Sequence, residues 1–244
     1  MINCYKSKCM KKHIDPPFSN PHFDKHFISE KHKLFCAKSG AGKTNALLNM
    51  IMQMQDTFEE IIIYTAMPDE PLYAGLKEQI GDQCTVKPYN ELVPCPSARA
   101  ANVVQRLIVF DDFLNEPPRI QSMLKDYAQR GRKNTYVCCF ITQSFFEVKK
   151  AIRAQCSELF MLAVSDKRDL SQIASTVSFR DGQLLQRIIK NATKFPMHIC
   201  IISLGHCVDA NRLIRRNFTD WYQLEDAEGN EINPVMYMKP DMKN

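Results

Sequence analysis

The residues best suited to chemistry sit in one short stretch, Ser39-Gly40-Ala41-Gly42-Lys43-Thr44-Asn45. Glycines let backbone N–H groups turn inward on an anion, and a following helix start adds partial positive charge there. In such a frame Lys43 reaches the β and γ phosphates of a nucleotide, and the Thr44 hydroxyl ligates Mg²⁺. The seven residues are therefore the expected nucleotide-binding stretch, for ATP with Mg²⁺. Ala37 stands where the strict G-x-x-x-x-G-K-[ST] spacing has its first glycine, so that turn has to form with φ < 0 or accept strain.

Two carboxylates form the second constellation. Arg106-Leu-Ile-Val-Phe-Asp-Asp-Phe113 carries four apolar residues up to Asp111 and Asp112. Asp111 is expected to hold Mg²⁺ through its water shell, and Asp112 to orient or activate the attacking water. A third candidate, Gln143, closes the apolar run Tyr136-Val-Cys-Cys-Phe-Ile-Thr-Gln143. If the two runs are neighbouring strands, Gln143 lies beside Asp111 and can hydrogen-bond the γ-phosphate or the water.

Positioning these groups requires strands that end where the ligand sits. Lys33 to Ala37 reads as a strand feeding the glycine turn. Leu47, Leu48, Ile51 and Met54 then fall on one helical face. Ile61–Thr65 is a continuous apolar run, the pattern of a strand buried on both faces. Leu72–Ile80 reads as a helix, and the region of Pro88, Pro94 and Pro96 as a long connection. Pro117 and Pro118 start a helix whose stripe of Ile120, Met123, Leu124, Tyr127 and Ala128 runs toward Gly131, an expected C′ stop. Ser144 and Glu147 have capping-box spacing ahead of a helix from Val148 to Ala154. Leu159–Val164 is a further strand, followed by helix signals at Asp169–Val177 and Gln183–Ile189. His198–Leu204 and Arg212–Arg215 form a hairpin around a Val208–Asn211 turn. These elements give an α/β fold with a mainly parallel sheet between helices and a C-terminal hairpin.

Composition bounds the rest. A chain of 244 residues, 45% hydrophobic and 24% charged, suits one large α/β domain. The expected limits are a basic N-terminal arm over 1–30, the domain over 31–220, and a tail over 221–244. Net charge +5 permits a polyanionic partner without demanding one. Ten cysteines would suggest disulfides in a small secreted protein, but Cys138 and Cys139 lie inside an apolar run where a thiol acts as a small hydrophobe, so a reducing compartment is expected. Cys4, Cys9 and His13 lack an evident fourth zinc ligand, and lysines interleave them. They read as a solvated arm, and His22 and His26 as surface residues. No apolar run approaches the roughly 20 residues of a membrane span, so the chain is expected to be soluble.

The order of parts carries a resemblance. A phosphate loop, a strand ending Asp-Asp, the basic turn Arg130-Gly-Arg-Lys133, a strand ending Thr-Gln-Ser and a Lys/Arg helix resemble the FtsK and HerA branch of P-loop motor ATPases. Within it, the poxvirus-type genome packaging ATPases of large DNA viruses are most similar. The resemblance implies a RecA/ASCE-like P-loop NTPase core, a homo-oligomeric ring, and ATP-driven translocation of double-stranded DNA into a viral capsid or its portal vertex. The setting it implies is the host cytoplasm, in the viral factory, with the virion as a second location. It also implies Lys43 and Thr44 as phosphate-loop positions, Asp111 as the Walker B aspartate and Gln143 as the sensor. Asp112 stands where many relatives carry Glu. For the arginine finger supplied by a neighbouring subunit, Arg130, Arg132, Arg153 and Arg168 are candidates, with Arg153 preferred.

Three other readings compete. Asp166-Lys-Arg-Asp169 is similar to a guanine-reading N-K-x-D, but begins with Asp and lacks a D-x-x-G partner. A small-molecule kinase can share the phosphate loop yet seldom needs the Asp-Asp and Gln pairing. A nucleotide-gated interaction protein would bind ATP without turnover.

Overall fold

A computed structural model describes residues 31–237 apart from 55–56, 97–104, 178, 180, 205–212 and 227–229. The expected arm, with Cys4, Cys9, His13, His22 and His26, and the Val208–Asn211 turn lie outside the described residues. The strands are β1 His32–Ala37, β2 Glu60–Thr65, β3 Cys84–Lys87, β4 Arg106–Asp111, β5 Tyr136–Thr142, β6 Cys156–Leu162, β7 Cys200–Ser203, β8 Ile214–Arg216, β9 Asp220–Glu225 and β10 Glu231–Tyr237. The helices are α1 Lys43–Gln53, α2 Pro71–Ile80, α3 Pro118–Arg130, α4 Lys150–Arg153, α5 Lys167–Val177 and α6 Gly182–Ala192.

All ten strands join one sheet in the order β10-β9-β8-β7-β6-β1-β5-β4-β2-β3. From β6 to β3 every pairing is parallel, and from β6 to β10 every pairing is antiparallel. The parallel strands read as apolar runs because both faces are covered. Along β1, Leu34 and Cys36 enter one core with Leu124, Tyr127, Ile173 and Leu185 of α3, α5 and α6. Phe35 and Ala37 enter the other, with Leu47 and Met50 of α1 and with Tyr73 and Leu76 of α2. This two-residue alternation places helical layers on both faces of the sheet, the α/β arrangement expected above. Phe35 stacks on its register partner Phe160 of β6, ring centroids 4.2 Å apart, which fixes the strand that ends in the phosphate loop.

Several local expectations need correction. Between the expected helix and the expected long connection, Cys84–Lys87 adds β3, a four-residue edge strand too short to show a period. Gly131 does not act as a left-handed stop: its φ is −55°, a 3₁₀ turn follows, and Thr135 takes the positive φ of 65°. Space explains the glycine, since a Cβ there would lie 3.2 Å from the Cys138 sulfur. Ser144 accepts the Glu147 N–H at a long 3.4 Å, but α4 begins only at Lys150, so the capping-box spacing closes a turn. The expected tail is structured as well. Asp220–Glu225 alternates buried and half-exposed residues as β9, and the 220/221 limit cuts through it. β10 tolerates Pro234 because it is the sheet's edge, where a missing N–H breaks no inner ladder.

Candidate functional site

β1 delivers the chain to the C-terminal edge of the parallel strands, the edge where ligands bind in open α/β sheets. Ala37 is still strand, so the missing loop glycine costs no left-handed backbone there. Gly40 at φ 74° and Gly42 at φ 92° supply the two turns that an L side chain resists. A Cβ on Gly40 would meet nothing within 4 Å, so conformation rather than space calls for that glycine. Gly42 caps α1, its carbonyl accepting the Ala46 N–H at 2.9 Å. The Lys43 ammonium donates to the Ala37 carbonyl at 3.3 Å, folded back across the loop it closes.

β5 lies between β1 and β4, so the Thr-Gln and Asp-Asp strand ends are adjacent, with Asp111 in register with Ile141. Asp111 is buried, and its Oδ2 accepts the Tyr73 hydroxyl at 2.6 Å. Tyr89 holds the Asp111 carbonyl at 2.9 Å. Burial pushes the Asp111 carboxyl up, nearby Asp112 and Glu70 add to this, and the Tyr73 hydrogen bond and Lys43 oppose it. Burial and then the Asp111 carboxylate push the Tyr73 phenol up, so it stays a hydrogen-bond donor to Asp111. The Thr44 hydroxyl and the Asp111 carboxylate are oxygen donors of the kind Mg²⁺ prefers. Nothing in the sequence singles out Tyr73, because it is one aromatic on the buried face of a helix.

Asp112 adopts a left-handed backbone, φ 52° and ψ 46°, with its N–H on the Ile141 carbonyl at 3.0 Å. That turn sets its carboxylate beside Gln143, just past the end of β5. Gln143 accordingly donates to Asp112, 3.2 Å to each carboxylate oxygen, and not to Asp111. The amide and the carboxylate expected to handle the attacking water form one unit.

The turn behind Gln143 is braced from two sides. Asp169 accepts the Phe146 N–H at 2.7 Å and the Ser144 hydroxyl at 3.2 Å. Arg153 donates to the Phe145 and Phe146 carbonyls at 3.0 and 2.8 Å and lies over the Phe145 ring. A guanidinium used in this way holds its own subunit's turn, which weighs against the preferred finger assignment. Asp166 caps α5 through the N–H groups of Arg168 and Asp169, so the D-K-R-D stretch is spent on local structure. Arg168 lines a cavity of about 250 Å³ beside Lys38 and Gln143. Arg130 pairs with Asp126 at 2.9 Å, and Arg132 lines a second cavity, of about 210 Å³, with Lys31 and Lys133 near the start of β1. Among the described residues no cluster of His, Cys, Asp and Glu could hold a metal in the manner of a zinc site. The seven described cysteines are free and buried, and no described helix is long and apolar enough to cross a membrane.

No family model matches the chain, and no curated protein does. Solved structures do. The genome packaging NTPase B204 of Sulfolobus turreted icosahedral virus 2, in complex with sulfate, superposes with a TM-score of 0.54 at 12% identity, over 78% of this chain and 97% of that one. Its complex with AMPPCP gives 0.51 at 12% identity, over 78% and 98%. The cytoplasmic domain of the type VII secretion ATPase EccC from Thermomonospora curvata gives 0.52 at 11% identity, over 80% of this chain and 26% of that one. At such identities the likeness concerns the fold: this chain has the P-loop NTPase fold that a viral genome packaging NTPase and a secretion ATPase share.

Proposed function

We propose that this chain is an ATP-hydrolysing motor that packages double-stranded viral DNA, working with Mg²⁺ as a homo-oligomeric ring at a capsid or portal vertex. The observation that carries the reading is the Asp112–Gln143 unit on adjacent strand ends beside the glycine turn of Lys43. Lys43 neutralises the phosphates, and Asp112 accepts the proton of the attacking water. Gln143 keeps Asp112 oriented and senses the γ-phosphate, and Asp169 with Arg153 holds the turn behind it. Mg²⁺ on Thr44 and Asp111 would spread the charge that develops across the β and γ phosphates. The FtsK and HerA resemblance of the motif order, together with the fold shared with B204, supports packaging over other uses of such a site. Arg130, Arg132, Lys149 and Lys150 are the proposed contacts to duplex phosphates. The cytoplasmic viral factory, and the virion, are the proposed setting.

The test is ATP turnover with and without duplex DNA across a salt series. Duplex DNA should raise turnover several-fold whatever its sequence, and the gain should fade with salt because phosphate contacts release counterions. Turnover indifferent to DNA, from a protein that stays monomeric with nucleotide, would contradict the motor reading.

A further inference from the structure

We infer that the turn Phe195-Pro196-Met197-His198 is the seat of the nucleobase, an inference that rests on nucleotide binding at Lys43. β7 runs antiparallel to β6, with Cys200 opposite Met161. The chain entering β7 therefore stands at the same sheet edge as the end of β1. The turn touches the phosphate loop directly: a Cβ on Gly42 would lie 3.3 Å from the Met197 Cε and 3.9 Å from its Cγ. Met197 thus flanks the residue just before Lys43 and Thr44. The γ-phosphate apparatus of Asp112 and Gln143 lies beyond β1, toward β5 and β4, whereas this turn lies toward β6 and β7. A nucleotide with its γ-phosphate at the first has its base near the second.

The turn is built to present apolar surface. Its His198 N–H returns to the Phe195 carbonyl at 3.2 Å, and Met197 is held at φ 63°, a backbone region L residues avoid. Phe195 is 55% exposed and Met197 56%, although both are large apolar residues beside a well-filled core. Downstream, Ile199 is clamped in both directions by Asn217, N–H to Oδ1 at 3.1 Å and carbonyl to N–H at 2.7 Å. The His198 ring meets Phe195 edge-on at 5.4 Å. A strained, fixed turn that holds a thioether and a phenyl ring in solvent suits a flat aromatic ligand, since thioethers make favourable contacts with aromatic rings and rings stack on bases. The ligand class is a nucleoside triphosphate whose base is gripped by surface contact.

Calorimetric titration of the full chain with Mg²⁺–ATP and with Mg²⁺–tripolyphosphate tests this, because the second ligand has phosphates and no base. The wild type should bind ATP at least about tenfold more tightly, the scale of one stacked base. Met197→Gly and Phe195→Ala, both at exposed positions, should each lower ATP affinity about tenfold and leave tripolyphosphate affinity unchanged. Unaltered ATP affinity in both variants, or equal losses for the two ligands, would overturn the seat while leaving the phosphate site standing. A wild type that binds neither ligand would overturn the nucleotide reading and the seat with it.

Discussion

One lysine lies near the start of β1 and another opens α1 beyond the glycine turn, and the fold uses them in opposite ways. Lys33 is 0% exposed, its ammonium 3.0 Å from the Glu158 carboxylate of β6, itself 2% exposed, and 2.8 Å from the Lys31 carbonyl. Lys43, in the glycine turn, rests on the Ala37 carbonyl at 3.3 Å. A charge inside the sheet needs a dedicated partner and good geometry, because desolvation is costly. Lys43, the proposed phosphate contact, is half-buried and rests on a single backbone carbonyl that a ligand can replace. The carboxylates divide the same way: Glu158 is locked to Lys33, whereas Asp112 is held by the Gln143 amide at the site's edge. Burial and fixed pairing mark the part of the strand that holds the sheet together, and a left-handed turn with a neutral partner marks the part proposed for chemistry.

The same substitution at both lysines should break the comparison most visibly. Lys33→Met removes the cation that faces the Glu158 carboxylate in the core, and should cost about 3–5 kcal/mol in denaturant unfolding. Lys43→Met should leave the unfolding midpoint near wild type and abolish ATP turnover. A Lys33→Met variant as stable as the wild type would show that the buried pair is dispensable. Stability lost at Lys43 would give that residue a structural role.

A smaller effect should come from His32, beside Lys33 at the start of β1. Burial, and then the cations of Lys33 and Arg132, lower its pKa from 6.5 to about 4, with the Ala128 backbone opposing. Its Nδ1 accepts the Cys138 N–H at 3.0 Å, an arrangement that requires the neutral ring. The unfolded chain binds a proton near pH 6.5 that the native state refuses. The contribution is therefore present above pH 6.5 and lost as pH falls toward 4, by at most about 3 kcal/mol. In urea titrations from pH 7 to 4.5, His32→Asn should remove that part of the pH dependence. Equal pH profiles for the two proteins would contradict it.

What was legible in the sequence was what one strand or one turn decides. The apolar runs at 33–37, 106–110 and 136–141 announce strands, and each leads to polar residues where a ligand edge would be. Lys43, Thr44, Asp111, Asp112 and Gln143 could be named from that alone. Side chains joined across the fold could not. Tyr73 reaches Asp111 from a helix 38 positions earlier, and Arg153, the last residue of α4, reaches back to the Phe145 and Phe146 carbonyls behind Gln143. Lys33 gave no sign of being buried, since its partner Glu158 becomes a neighbour only through the β1–β6 register. β9 carries an alternation only in Tyr-Gln-Leu-Glu, because Asp220 is buried and Trp221 half-exposed against it. It was obscured because the strand adds to the antiparallel edge of the sheet, beyond the parallel pattern that organises the rest.

Asp112→Asn tests hydrolysis at this edge most directly, because an amide keeps the size of the side chain and cannot accept the water's proton. ATP binding and single-turnover cleavage should be measured on the same preparation. Nucleotide affinity within a few-fold of wild type, with cleavage slowed by about a hundredfold or more, is the expected result. Cleavage near the wild-type rate, or affinity lost in parallel with cleavage, would contradict the assignment of the Asp112–Gln143 unit to the chemical step.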